Sequence, residues 1–447
     1  MSTVPVFQID SDCHSRVRTG MRRKEITVAA VIFLLAMPGL FAHAQEGKGK
    51  WVSGWSTAVQ APLPFPGLPP TPVFENQTIR MVVRPTIGGQ RLRVRFSNEN
   101  GSSALEIGTA HVALGDHGSS ILPATDHALT FGGHSSVKVP VGASLLSDPV
   151  DIKVPPFAEV SVSIYLPQSA AASTTHYWAQ HETYVSGPGD FSGKREIPEA
   201  SVKLSWYWLA DIEIWTADLV GAVVTLGDSI TDGVGASQGD YQDWPDLLAK
   251  RLKTTSGAQS MAVLNEGIGG NRILHDGAGI NALARFDRDV LAQPGVTDLI
   301  VLEGINDIGW PHMKPRAASD GAQLKDGPFA SEGVSAADLI AGLRQIIDRA
   351  HEHNIRVFGA TLTPCKGADY FTTDGEVVRQ AVNNWIRTGG AFDGVFDFDA
   401  AVRDPSDPER FLPRLQSGDW LHPSVAGYSA MADAIDLSIL TSAKREH

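Results

Sequence analysis

The sequence contains 447 residues, of which 43% are hydrophobic and 19% charged, and this composition excludes a disordered or fibrous chain. At roughly 150 residues per domain, this length predicts two to three domains. The formal net charge of −13, from 37 basic and 50 acidic residues, excludes the basic surface that nucleic-acid binding requires, so we expect no nucleic-acid partner.

Residues 1–44 have the pattern of a secretory signal peptide. Basic residues precede an apolar run over 26–41, which ends in the small residues of Ala42-His43-Ala44. A retained membrane anchor is the alternative, and the break in the apolar run at Pro38 argues against it. We therefore predict a secreted or periplasmic protein that keeps no stable membrane insertion once the signal is removed.

Residues 45–218 are predicted to form a β-sandwich or jelly-roll domain. Polar and apolar residues alternate over Arg91–Phe96 and Val160–Leu166, which places one side-chain face in a core and the other in water. A proline-rich segment over 62–72 is expected to run as an extended strap over the surface of the domain. Turn residues separate further candidate strands at Thr78–Arg84, Ile107–Leu114, Val137–Val139 and Ile152–Val154.

Residues 219–447 are predicted to form an α/β domain in which strands and helices alternate. Short, continuously apolar strands joined by helices are typical of a parallel sheet covered on both faces, whose ligand site lies at the carboxyl ends of the strands. The predicted strands are Ala222–Leu226, Met261–Asn265, Asp298–Leu302, Arg356–Leu362 and Gly394–Phe398. The predicted helices are Trp244–Leu252, Ser335–His353, Glu376–Arg387 and Pro423–Leu440, and Ser335 with Asp338 resembles a capping box.

The first strand of this second domain leads directly into Gly227-Asp228-Ser229-Ile230-Thr231. This places the Ser229 hydroxyl at the carboxyl end of a strand, just before a helix. Because serine alone is a weak nucleophile, catalysis would also need a base, a group that orients the base, and donors for an oxyanion. Gly-Asp-Ser on its own is a common turn, so the other parts of the sequence must decide.

Those parts occur downstream in the chain. Asp419 lies three residues before His422, so that the carboxylate could hold one nitrogen of the imidazole while the other faces Ser229. The alternative is that Asp419 and His422 only cap the last helix. Oxyanion donors could come from the glycine-rich segment 265–271 and from 304–307, because glycine lets a backbone amide approach a substrate and asparagine offers a side-chain amide.

These four blocks, in this order, resemble the SGNH hydrolases, also called GDSL esterases. The resemblance covers about residues 221–440 and implies a three-layer α/β domain. Matched by position, it implies that Ser229 is the nucleophile, His422 the general base and Asp419 the residue that orients the base. Ile230 stands where the eponymous motif has leucine, a conservative change at a residue with no chemical role.

The same resemblance implies an oxyanion hole formed by Ser229, Gly270 and Asn306. The doubled glycine leaves Gly269 as an alternative to Gly270. We expect no cofactor. We also predict no metal site, because the two imidazoles of His351-Glu352-His353 would point apart at a helix end.

The first domain resembles the N-terminal β domain of secreted two-domain SGNH esterases, through the segments 51–55, 95–99 and 184–186. That family suggests acyl esters on plant cell-wall xylan as substrates. An aromatic cluster just before the domain junction is either a sugar-stacking platform or ordinary packing. Its members are Trp206, Tyr207, Trp208 and Trp215.

We thus expect an exported serine esterase that removes acetyl or other short acyl groups from a small-molecule or polysaccharide ester. The alternatives are a lipase or arylesterase, and a vestigial hydrolase that serves as a carbohydrate-binding protein. The stretch Trp310–Val334 is predicted to be a loop at the rim of the site, rather than a surface loop without substrate contact. Its small apolar patch of Trp310, Pro311 and Met313 favours short acyl groups.

Overall fold

A computed structural model describes residues 49–63, 68–217, 221–255, 261–313 and 327–441. Three predicted features lie outside these ranges: the signal peptide over 1–44, the domain junction at 218/219 and residues 314–326 of the rim loop. An antiparallel part ends at Thr216, and a parallel part begins at Gly221.

The antiparallel part contains two main sheets. One has the order β1-β17-β4-β10, with β9 added to β4, and the other has the order β15-β14-β3-β11-β6-β7. The strands are β1 (Lys50–Ser56), β2 (Val73–Phe74), β3 (Gln77–Val83), β4 (Gly89–Ser97), β5 (Leu105–Ile107), β6 (Thr109–Leu114), β7 (His127–Ala128), β8 (Val137–Val139), β9 (Ser144–Leu146), β10 (Val150–Val154), β11 (Val160–Leu166), β12 (Ala170–Ala171), β13 (Thr175–His176), β14 (Thr183–Pro188), β15 (Ser201–Lys203), β16 (Trp206–Tyr207) and β17 (Leu209–Thr216).

The predicted alternation holds in β4 but not in β11. In β4, the apolar side chains are buried and the arginines between them are partly exposed. In β11, Ser161 and Ser163 are also buried, and at Ser163 segment 191–195 covers the outer face of the sheet. There the buried guanidinium of Arg80 donates to Ser163 Oγ at 2.7 Å and to the carbonyls of Ser192 and Lys194. The prediction that this face of β11 meets water is therefore wrong.

The aromatic cluster before the junction is packing and not a platform. Trp206, Tyr207 and Trp208 are buried, and Tyr207 lies edge-on to Phe74 with ring centroids 5.0 Å apart. Trp215 packs edge-on against Trp51. The sequence could not distinguish the two outcomes, because the packing partners come from strands more than 100 residues upstream.

The parallel part is the predicted three-layer α/β domain. Its sheet has the order β19-β18-β20-β21-β22 with every pair parallel. The strands are β18 (Gly221–Gly227), β19 (Met261–Gly267), β20 (Val296–Leu302), β21 (Arg356–Ala360), β22 (Gly394–Phe396), β23 (Arg403–Asp404) and β24 (Asp407–Phe411). The helices are α1 (Ser229–Asp232), α2 (Trp244–Thr254), α3 (Ala282–Phe286), α4 (Ile305–Gly309), α5 (Ala336–Glu352), α6 (Thr373–Thr388), α7 (Phe398–Val402), α8 (Val425–Asp433) and α9 (Leu437–Thr441). Over the described ranges, no helix has the length and apolar character that crossing a bilayer would require.

Capping side chains set several helix boundaries. The capping box of Ser335 and Asp338 at the start of α5 is confirmed. The helix predicted over 423–440 is instead two helices, because the Asp436 carboxylate accepts the Ser438 amide and starts α9 anew. The strand predicted to reach residue 398 ends at 396, since Asp397 caps α7.

The antiparallel part covers the outer edge of the parallel sheet. Strand β19 is that edge, and the Thr86 hydroxyl accepts from the Val263 amide at 3.0 Å. Thr57 forms a parallel bridge with Asn265, and Ser56 donates to the buried carboxylate of Glu266. Covering an edge strand in this way prevents its unpaired backbone groups from pairing with another chain.

A buried carboxyl group, Asp211, lies in the central strand β17 of the first sheet. It accepts from Ser53 Oγ at 2.7 Å, while its second oxygen has no hydrogen-bond partner among the described residues. Burial, reinforced by the nearby Glu213, raises the pKa of Asp211 to about 8. Between about pH 4 and pH 8, Asp211 is therefore protonated in the folded chain and ionised in the unfolded chain.

We predict that Asp211→Asn raises the free energy of unfolding at pH 8 by about 1–3 kcal/mol, the scale of an imperfectly satisfied buried polar group. Because its pKa is raised on folding, the contribution of Asp211 is present at low pH and is lost as the pH rises through about 8. Urea unfolding at pH 5 and pH 8 should therefore show a smaller gain at pH 5. The exposed Asp151 is the control, and an equal gain at both pH values would contradict the prediction.

Candidate active site

The register of the parallel sheet brings three segments together. The pairing of β18 with both neighbours ends at one level, where Gly227 is opposite Gly267 of β19 and Leu302 of β20. Ser229, Gly270 and Asn306 follow these three positions by two, three and four residues. The candidate nucleophile and both candidate oxyanion segments therefore leave the same edge of the sheet, at the carboxyl ends of its strands.

The turn from β18 into α1 depends on Gly227 and Asp228. A Cβ at Gly227 would lie 2.2 Å from Thr231 Oγ1 and 2.5 Å from the Leu302 carbonyl oxygen, so only glycine fits between strand and helix. The Asp228 side chain accepts from the Ile230 amide at 2.9 Å and caps α1. Ser229 is therefore the first residue of a one-turn helix, and it remains 7% exposed.

The structure brings His422 next to Ser229, and Asp419 next to His422. His422 Nε2 lies 2.8 Å from Ser229 Oγ, and His422 Nδ1 lies 2.5 Å from Asp419 Oδ2. The second oxygen of Asp419 accepts the amides of Leu421 and His422, in a turn whose Trp420 has a positive φ of 63°. The capping alternative does not describe this geometry, since Ser424 caps α8.

The electrostatics of this pair set the tautomer of the imidazole. Burial alone would raise the pKa of Asp419, but the hydrogen bond and charge of His422, with the amides of Leu421 and His422, outweigh it and hold that pKa below its usual range. An ionised carboxylate facing Nδ1 keeps the proton on that nitrogen. His422 Nε2 is then free to accept the hydroxyl proton of Ser229.

The carboxyl groups beneath the nucleophile carry less negative charge than their number suggests. Burial raises the pKa of Asp228 to about 7, with opposing effects from the Ile230 amide and His422 and a further increase from Asp307. Burial likewise raises the pKa of Glu303 well above its usual value. Suppressed ionisation here limits the repulsion that an oxyanion at Ser229 would meet.

The two candidate glycines differ in what their amides do. The Gly269 amide donates to Asp232 Oδ2 at 2.9 Å. The Gly270 amide has no hydrogen-bond partner within the part of the chain that the structure describes, and the residue has a φ of +81°, which favours glycine. Of the two glycines, Gly270 is therefore the one whose amide can bind a ligand.

Asn306 is nearly fully buried at the start of α4, with both ends of its side-chain amide in contact. Its Nδ2 donates to the Asn271 carbonyl at 3.0 Å, and its Oδ1 accepts from the Tyr370 hydroxyl at 3.4 Å. The second N–H of Nδ2 has no acceptor among the described residues. Tyr370 fixes this orientation, and sequence reasoning missed it because it lies in a loop without a recognisable motif.

The described ends of the predicted rim loop pack next to Asn306. Trp310 is buried with Ala278 and Tyr370, and Leu63 from the proline-rich segment packs against this cluster. Of the predicted apolar patch, only Met313 is exposed; Trp310 and Pro311 are buried. Residues 314–326 of the loop lie outside the described ranges.

An exposed aromatic residue that no sequence pattern identified lies beside residues 268–271, called here the glycine turn. Trp178, from the antiparallel part, is 37% exposed, and its Cε3 lies 2.6 Å from the place that a Cβ on Gly269 would occupy. No periodic pattern marks Trp178, because it lies in an irregular segment between β13 and β14.

The comparison with family models agrees with this geometry. Residues 225–430 match the model described as the GDSL-like lipase/acylhydrolase family. The chain contains an SGNH hydrolase domain. The protein is accordingly a carboxylic ester hydrolase.

Similar solved structures are also found. Axe2, an acetylxylan esterase from Geobacillus stearothermophilus, is 21% identical, with a TM-score of 0.35; the match covers 48% of this chain and 93% of Axe2. A GDSL-like lipase from Bacteroides thetaiotaomicron VPI-5482 is 18% identical, with a TM-score of 0.34; the match covers 49% of this chain and 88% of the lipase. A search of curated proteins found no match.

Proposed function

We propose that the protein hydrolyses esters through an acyl-enzyme on Ser229. The observation that carries this is the continuous hydrogen-bonded chain from Ser229 Oγ to His422 at 2.8 Å and on to Asp419 at 2.5 Å. Ser229 Oγ bonds to the acyl carbon while its proton passes to His422 Nε2, and the carbonyl oxygen becomes an oxyanion.

The proton on His422 next passes to the leaving alcohol, and a second cycle with water restores the enzyme. As the tetrahedral intermediate collapses, the bond to the alcohol oxygen breaks and His422 returns its proton to that oxygen. Water then attacks the acyl carbon while His422 Nε2 takes a proton from it. Collapse of this second intermediate breaks the bond to Ser229 Oγ, which regains its proton from His422 as the acid leaves. Asp419 keeps the imidazole in position and stabilises its positive charge in both halves.

The oxyanion in this proposal is bound by the backbone amides of Ser229 and Gly270 and by the side chain of Asn306. Support comes from the available Gly270 amide and from the second N–H of Asn306 Nδ2. Gly269 is not assigned this role because its amide already donates to Asp232. Such fixed donors are the largest contribution to many acyl transfers.

For the substrate, we propose short acyl groups, acetyl above all, on a carbohydrate alcohol, with export directed by residues 1–44. The sequence resemblance of the first domain to those of secreted esterases supports this, and so does the exposed ring of Trp178 beside the glycine turn. An aromatic face can stack on the apolar face of a sugar ring.

We predict that Ser229→Ala and His422→Ala each lower kcat at least about 10³-fold, since either loss removes the same proton transfer. The double variant should be no more than about threefold worse than either single one. Rates of ester hydrolysis per mole of folded protein measure this effect. Losses that add up in the double variant would show that Ser229 and His422 do not act together, and a vestigial hydrolase would show no turnover to lose.

We predict that acetyl esters exceed decanoyl esters in kcat/KM, because the apolar residues near Asn306 are packed against one another rather than spread as a broad face. A chain-length series of p-nitrophenyl esters measures the order. A lipase gains up to about 0.8 kcal/mol for each methylene it buries, so a steady rise toward decanoyl would favour the lipase alternative.

We predict that Trp178→Ala raises KM for acetylated xylooligosaccharides by roughly twofold to tenfold, corresponding to about 0.5–1.5 kcal/mol of lost stacking. KM for p-nitrophenyl acetate, which has no sugar, should change little. Trp178→Phe keeps an aromatic ring and is the matched control. Equal changes with both substrates would argue against a sugar contact at Trp178.

A further inference from the structure

We infer that His176, a residue of the antiparallel part, positions the glycine turn and its Gly270 amide through a contact with Asp232. The inference rests on the proposed function, because it concerns the same site. His176 and Asp232 act here as positioning residues, since neither is assigned a contact with the reacting atoms.

His176 is almost fully buried between two hydrogen-bond acceptors. Its Nδ1 lies 2.9 Å from the carbonyl oxygen of Ala58, and its Nε2 lies 2.9 Å from Asp232 Oδ1. Because a carbonyl and a carboxylate both accept, two N–H groups are needed to satisfy them, which favours the protonated imidazole. Burial lowers the pKa of His176, but the charge and hydrogen bond of Asp232 more than offset this, so the net shift is upward.

Asp232 connects this histidine to the glycine turn. Its other oxygen, Oδ2, accepts the Gly269 amide at 2.9 Å. A single carboxylate at the end of α1 therefore bonds to the antiparallel part on one side and to the residue before Gly270 on the other. Asp232 also belongs to the same one-turn helix as Ser229, so it links the nucleophile and the turn.

The turn is held on its other face as well. The Trp178 ring lies against Gly269, and a Cβ there would lie 2.6 Å from Trp178 Cε3. His176 and Trp178 are two residues apart in the antiparallel part, so one short segment of that part contacts both Asp232 and Gly269.

This arrangement has a chemical consequence because oxyanion donors must be in place before the charge develops. A misplacement of about 1 Å can lower the rate about 10²-fold. Without the Asp232 carboxylate, the Gly269 amide would lose its partner, and the Gly270 amide would be free to rotate away from the oxyanion. Substrate binding in the ground state depends much less on that amide, so kcat should fall more than KM rises.

The test compares Asp232→Ala, Asp232→Asn and His176→Gln, with kcat expressed per active site titrated by a fluorophosphonate. We expect Asp232→Ala to lower kcat by roughly 10- to 100-fold with KM changed less than about threefold. Asp232→Asn should retain kcat within about threefold, because its oxygen can accept from Gly269 while its amide donates to a neutral His176. Affinity for a boronic acid, which forms a tetrahedral adduct on serine, should fall in parallel with kcat.

His176→Gln tests the connection between the two parts of the protein. We expect it to lower kcat by roughly threefold to tenfold alone and to have no further effect in the Asp232→Ala background. The control is His111→Gln, which removes another histidine–aspartate contact of the antiparallel part, with Asp126 at 3.0 Å, and should leave kcat unchanged.

Two results would overturn the inference. One is kcat per titrated site within twofold of wild type for Asp232→Ala, since a residue that only stabilises the fold would lower the amount of folded enzyme instead. The other is an equal effect of His176→Gln with and without Asp232. Neither result bears on Ser229, whereas hydrolysis that persists in Ser229→Ala would reject the proposed function itself.

Discussion

The site depends on the place where strand β18 stops pairing. Its last residue, Gly227, lies between Gly267 and Leu302, and the absence of a side chain there lets the chain turn at once into α1. A side chain at Gly227 would press on both the backbone of β20 and Thr231. The three segments that contribute Ser229, Gly270 and Asn306 would then no longer leave the sheet at one level, and the candidate site would not form.

Much of this could be predicted from local sequence. The strands and helices of the parallel part follow from apolar runs and capping residues, and the site residues lie where those runs end. The resemblance to SGNH hydrolases selected Ser229, Asp419 and His422, and only Ser229 lies directly after a strand of the parallel sheet. The choice between Gly269 and Gly270 could not be predicted, since it depends on which amide Asp232 accepts.

What the sequence could not predict depends on contacts between distant segments. The burial of Ser163 depends on Arg80 and on the backbone of the segment that covers Arg80, and the burial of Tyr207 depends on Phe74. No sequence pattern identifies His176, because its partners are Ala58 and Asp232, which are distant from it in the chain. Such residues carry no periodic signal, so only the assembled fold identifies them.

The path of strand β1 has a consequence for how the protein folds. Lys50 pairs with Thr216 and Thr57 with Asn265, so the first sheet needs residues from both ends of the antiparallel part before its centre can close. Pairing between such distant residues raises the contact order and slows folding. The first sheet therefore cannot close until residue 216 has been synthesised. The bridge from Thr57 to β19 can form only after residue 265 has also been synthesised.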